Sequence, residues 1–134
     1  MSVQRHSRAV ILCVDDHVLG LKVRKQVLER AGYRVLTATR AAKALEIFRT
    51  KIVDLVLAEH VAPALTDGPT ITETMKTLKP EVPIAIFSAD VSETREDRRF
   101  ADAFITKLVS VEELLRAIKG LLRKRTVSAL PLSA

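Results

Sequence analysis

Ala9-Val10-Ile11-Leu12-Cys13-Val14-Asp15-Asp16 is an apolar run that stops abruptly at two carboxylates. A short continuous run of this kind suits a strand buried on both faces, and the charges mark where it emerges into water. The pattern returns four times, in Arg34 to Ala38, Val53 to Ala58, Ile84 to Ser88 and Ala103 to Thr106. Amphipathic stretches of helical period separate the runs. Such alternation predicts one doubly wound α/β domain, a parallel sheet with helices on both faces.

The first helix is expected from Val18 to Arg30, with Leu19, Val23 and Val27 at helical spacing and Gly32 as a left-handed cap. A second covers Ala41 to Arg49 and buries Ala44, Leu45 and Phe48. In the third, Ile71, Met75 and Leu78 recur at four and three residues, before Pro80 and Pro83 stop the helix. A fourth, between Val91 and Phe100, is nearly all polar or charged and has little to bury. The last is announced by Ser110-Val111-Glu112-Glu113, a capping box ahead of Leu114, Leu115, Ile118, Leu121 and Leu122. The expected organisation is an extension over residues 1–8, a domain over 9–125 and a tail over 126–134.

At 134 residues and 48% hydrophobic content, one such domain can bury a core without disulfides or a structural metal. The single cysteine, Cys13, lies inside the first apolar run and reads as a small buried hydrophobe. A reducing, cytoplasmic setting fits, because no run is long enough to cross a membrane and the N-terminal one is too short for a signal peptide. The net charge of +6 invites a nucleic-acid partner. Part of the excess, however, is Arg116, Lys119, Arg123, Lys124 and Arg125, where cations also suit the negative end of a helix dipole. A solvated helix end is the preferred reading.

In an open α/β sheet, ligands bind at the carboxyl ends of the strands. Those ends carry Asp15-Asp16, Glu59, Ser88-Ala89 and Thr106-Lys107. Three carboxylates on one edge repel unless a hard cation or an ammonium lies among them, and Mg²⁺ is the usual solution, so a divalent-metal pocket is expected. Taken alone, the aspartate pair could equally cap the next helix. His17 and His60 flank the edge without metal-ligand spacing and read as exposed loop residues. Asp67 reads as a turn residue before Gly68.

In this order the motifs resemble the response-regulator receiver family across roughly Ala9 to Leu122. The resemblance implies a flavodoxin-like sheet of five parallel strands in the order 2-1-3-4-5. It implies that Asp15 and Asp16 hold Mg²⁺, helped by Glu59 and the carbonyl of Val61, and that Glu59 occupies the phosphoacceptor position. Pro63 falls at the family's usual distance after it. Ser88 is similar to the switch hydroxyl, Lys107 to the lysine that neutralises a phosphoryl group, and Phe104 to the switch aromatic, without its hydroxyl. Implied partners are a histidine kinase or other signalling protein and an output protein in trans. A homodimer is also compatible, and neither nucleic acid nor a membrane is expected.

The departures from the family bear on mechanism. Glu59 replaces an aspartate and is one methylene longer, and a misplacement of about 1 Å in an in-line transfer costs on the order of a hundredfold in rate. Poor phosphorylation is therefore expected. The longer side chain could also meet Lys107 and Ser88 as a partial phosphoryl mimic, or could mark a switch that has been lost. Leu108 stands where the family usually has proline, and a cis bond there would cost about 2.5 to 4 kcal/mol. The loop from Pro63 to Gly68 is one residue longer than usual, and the stretch from Ser88 to Lys107 about three shorter. A flavin or nucleotide carrier fits poorly, since Val14-Asp15-Asp16-His17 offers carboxylates where such proteins offer amides. No nucleophile-base pair suggests a hydrolase. The main rival is an adaptor that binds a protein partner or nucleic acid through its surface without phosphorylation.

Overall fold

Apolar runs can bury both faces only inside a sheet covered on either side; the three inner runs do so, while those at the two sheet edges, Arg34–Ala38 and Ala103–Thr106, are only partly buried. In the computed structural model, which describes residues 8–59, 70–89 and 99–129, with side chains as far as 124, the strands are β1 (Val10–Val14), β2 (Arg34–Ala38), β3 (Leu55–Ala58), β4 (Ile84–Ser88) and β5 (Ala103–Thr106). All pair in parallel, in the order β2-β1-β3-β4-β5. The helices are α1 (Val18–Arg30), α2 (Ala41–Thr50), α3 (Ile71–Leu78) and α4 (Val111–Ala129).

Side chains alternate across a strand, so each strand feeds two cores. Ile11 and Cys13 of β1 and Leu55 and Leu57 of β3 face Leu21, Leu28 and Ile118, under α1 and α4. Leu12, Val14 and Val56 face Phe48 and Met75, under α2 and α3. Full burial of side chains of this size stabilises by about 1.5–3 kcal/mol each. At the amino edge two carboxylates satisfy strand amides: Asp54 Oδ2 accepts from the Val10 amide at 2.8 Å, and Asp102 Oδ2 from the Ile84 amide at 2.8 Å.

Parallel register aligns the carboxyl ends. Val14 lies opposite Ala38 and Ala58, and Ser88 opposite Thr106. The ladders continue one residue further, through Asp15 N–H to the Ala38 carbonyl, Glu59 N–H to Val14, and Lys107 N–H to Ser88. Asp15, Glu59, Ser88 and Lys107 thus leave the sheet along one edge.

Helix ends follow their chemistry. Gly32 takes φ 102° after α1. Ser110 Oγ accepts from the Glu113 amide at 3.1 Å while Glu113 Oε1 accepts from the Ser110 amide at 2.9 Å, the reciprocal capping box. The last helix continues to Ala129, past Arg125 where a tail was expected, because Thr126 to Ala129 includes no glycine or proline. The expected helix from Val91 to Phe100 lies outside the described residues except for its last two.

The buried face of α1 differs from the expected one. Leu19 and Val23 are 68% and 59% exposed, whereas Leu21, Arg24 and Leu28 are buried. Two stripes of helical spacing compete in this segment, and the one holding more aliphatic residues is turned largely to water, with Val27 half-buried. The turn into the helix sets the rotation: Asp15 Oδ1 accepts from the His17 amide at 2.9 Å, and His17 Nδ1 accepts from the Gly20 amide at 3.1 Å as the N-cap. In α3, Thr72 and Met75 face inward and Leu78 is exposed.

Candidate functional site: the acidic edge

Asp15 sits at the centre of the edge, its side chain 0% exposed at the end of the innermost pair of strands. A buried carboxylate must be compensated. Three groups do this. Besides the His17 amide on Oδ1, Lys107 Nζ donates to Oδ2 at 2.8 Å and Arg24 Nη2 donates to the same oxygen at 3.1 Å. Lys107 Nζ also donates to Glu59 Oε1, so one ammonium bridges the two carboxylates. Phe87 of β4 lies beneath both cations, its ring centre 4.8 Å from Arg24 Cζ and 5.9 Å from Lys107 Nζ.

These contacts set the ionisation. Burial alone would push the Asp15 carboxyl up, but the bonds from Lys107 and the His17 amide, with the charges of Lys107 and Arg24, hold it below the usual carboxylate range. Burial would lower Lys107, yet its bonds to Asp15 and Glu59 and their charges hold it above the usual lysine value. Both are charged at neutral pH. Burial pushes the Cys13 thiol up to about 12, with Arg24 opposing and Asp15 adding to the shift.

The structure thus brings Asp15, Glu59 and Lys107 into direct contact. Ser88 is buried at the end of β4, and its carbonyl accepts from the Lys107 amide at 2.9 Å. Phe104 is half-buried on the opposite face, against the core under α2 and α3. Asp16 is exposed, with its side chain outside this cluster. Val61, His60, Pro63 and Asp67 lie outside the described residues. One contact was missed from sequence: Arg24. Its signal was a charged residue three after Leu21 and four before Leu28, on a stripe that otherwise reads as core.

A family model described as the response regulator receiver domain matches residues 11–119. The chain belongs to the response-regulator receiver family. It is 30% identical over 122 residues to the alkaline phosphatase synthesis transcriptional regulatory protein PhoP of Bacillus subtilis, a match covering 89% of this chain and 50% of that one. The chain therefore spans half the length of that relative. A CheY-like response regulator receiver domain protein from Methanospirillum hungatei has the same fold, with a TM-score of 0.84 at 28% identity, over 92% of this chain and 100% of the other. The response regulator TrrA of Thermotoga maritima, solved in complex with Mg²⁺-BeF, gives 0.76 at 25% identity, over 84% and 98%.

Receiver domains serve two-component signalling, generally as signalling modules rather than enzymes, interact with histidine kinases and output domains, and typically bind Mg²⁺. The donor set of this receiver domain is a poor fit to that ion. Asp15 Oδ2 already accepts from two cations, Glu59 is engaged by one of them, and Asp16 is exposed to solvent. Among the described residues no three acidic, histidine or cysteine side chains are grouped to hold a metal. Two carboxylates in contact with two cations leave little charge for a divalent ion to balance.

Proposed function

We propose that this receiver domain acts as a signalling module in a phosphorelay and is phosphorylated poorly, because Glu59 stands in the acceptor position. The observation that carries the reading is the Lys107 ammonium bonded to both Asp15 and Glu59. An attacking carboxylate oxygen must be free to approach phosphorus in line, and here Glu59 is one methylene too long and already paired. The pairing imitates part of what a phosphoryl group would supply, one negative charge on Lys107 in place of about two. It favours a fixed, partly active-like pocket over an inert one.

In this proposal Ser88 and Lys107 recognise negative charge and Phe104 reports the state of the pocket. Asp15, Asp16, Glu59 and the Val61 carbonyl offer Mg²⁺ at most a weak site. A histidine kinase or other signalling protein, and an output protein in trans, are the partners, in the cytoplasm. Among the described residues no helix is long and apolar enough to cross a membrane, which agrees with that location. A second reading, an adaptor that works without phosphorylation, draws support from the exposed apolar side chains of Val18, Leu19, Val23 and Leu108.

Intact-mass measurement after incubation with a small-molecule phosphodonor and Mg²⁺ tests the reading. The native chain should gain no phosphoryl group, and a gain confined to Glu59→Asp would locate the defect at that residue. Stoichiometric phosphorylation of the native chain would refute it.

A further inference from the structure

Arg24 occupies a position built for an apolar side chain. It lies between Leu21 and Leu28 on the face of α1 that packs on the sheet, and is 8% exposed. Charged side chains are almost never buried so far unless paired, because desolvation is costly. The guanidinium is paired twice over, to Asp15 Oδ2 at 3.1 Å and across the Phe87 ring at 4.8 Å. Helix on one side and ring on the other leave it little freedom to swing aside, whereas Lys107, its side chain 23% exposed, reaches the same oxygen on a flexible stem.

We propose that Arg24 is the resident counter-cation of this pocket, the residue that decides that its charge is balanced from within the chain and not by a divalent ion. With Arg24 present, the carboxylates in contact, Asp15 and Glu59, meet an equal number of cations, Arg24 and Lys107. An incoming Mg²⁺ would have to share Asp15 Oδ2 with two positive groups or displace both. With Arg24 replaced by an aliphatic residue, Asp15 and Glu59 face Lys107 alone, an excess of one negative charge beside the exposed Asp16, which a divalent ion can offset. With Arg24 in place, by contrast, the Lys107–Glu59 pairing holds at any Mg²⁺ concentration, and the pocket does not depend on the metal supply. The inference rests on reading this edge as the family's acidic pocket, but not on whether Glu59 can be phosphorylated.

The test is a Mg²⁺ titration of the full chain and of Arg24→Leu and Arg24→Lys, following the backbone amide signals of Asp15, Asp16 and Glu59, with Mn²⁺ broadening as a second probe. The native chain and Arg24→Lys should respond weakly or not at all in the millimolar range. Arg24→Leu, whose side chain suits the stripe between Leu21 and Leu28, should bind ~10- to 100-fold more tightly, the range by which groups supporting a metal site alter its affinity. If Arg24→Leu does not fold, Arg24→Gln removes the charge with the same expectation. Equal affinity in the native chain and the neutral variant overturns the proposal, as does tight binding by Arg24→Lys. Phosphorylation of the native chain would instead refute the reading of Glu59 and leave this titration to decide the role of Arg24.

Discussion

Replacing Lys107 by methionine keeps the length and most of the apolar stem while deleting the ammonium that joins Asp15 to Glu59. Removing one partner of a fully buried ion pair costs about 3–5 kcal/mol, mostly because the other charge is stranded. Two features lower that figure here. Asp15 keeps Arg24 and the His17 amide, and Glu59, with its side chain 22% exposed, can turn toward water. The expected loss is therefore about 1–3 kcal/mol, nearer the cost of a charge-assisted hydrogen bond than of an orphaned ion. With a urea slope of about 2 kcal/mol/M, the unfolding midpoint should fall by about 0.5–1.5 M with the slope unchanged. The pH profile should change with it. The stabilisation from Asp15, whose folded pKa is depressed, is complete above its ordinary value of 3.8 and is lost as pH falls through the lower folded value. That from Lys107, whose folded pKa is raised, is complete below 10.5 and is lost as pH rises through the higher folded value. The native advantage should thus form a plateau across neutral pH and narrow at both ends. A double-mutant cycle with Glu59→Gln isolates the bridge. Additivity within about 0.3–0.5 kcal/mol would refute the claim that Lys107 and Glu59 act as a pair.

Leu19→Ala and Val23→Ala should each change unfolding free energy by no more than about 0.5 kcal/mol, whereas Leu28→Ala should cost about 2–5 kcal/mol; a large loss at Leu19 would contradict the observed rotation of α1. Ser110→Ala removes the hydroxyl that accepts from the Glu113 amide, while the residue-110 amide still donates to the Glu113 carboxylate, and should cost about 1 kcal/mol by urea unfolding. The Cys13 thiol, fully buried and raised to about 12, should resist alkylation at neutral pH at a rate set by unfolding, and immediate labelling of the native chain would count against its placement.

Strands were the most legible part of this protein, since runs such as Val53 to Ala58 admit no stable alternative to burial on both faces, and β2, β4 and β5 occupy the ranges expected for them. Asp15, Glu59 and Lys107 were legible for the same reason: parallel register delivers strand ends to one edge. The face of α1 was not. Counting apolar residues favours Leu19, Val23 and Val27, but the rotation is set by the turn from Asp15 through His17, and the pairing that makes a buried arginine tolerable comes from a residue nine positions away. Periodicity contains no information about a charge whose partner lies off the helix. Asp54 and Asp102 escaped notice similarly, because a carboxylate that caps a strand amide resembles any loop aspartate until the neighbouring strand is in place.

The two cores on either side of the sheet touch only through a single layer of backbone. Leu28 and Ile118 share one of them, while Phe48 and Met75 share the other. Damage should consequently be compartmented. Substitutions within one core compete for the same space and will not sum, whereas a pair split between the cores, such as Leu28 with Phe48, should combine nearly independently. Either half of the interior can then be revised over evolutionary time with little reference to the other. The acidic edge borders the core under α1 and α4 through Leu21 and Phe87, so changes in that core should reach it most directly.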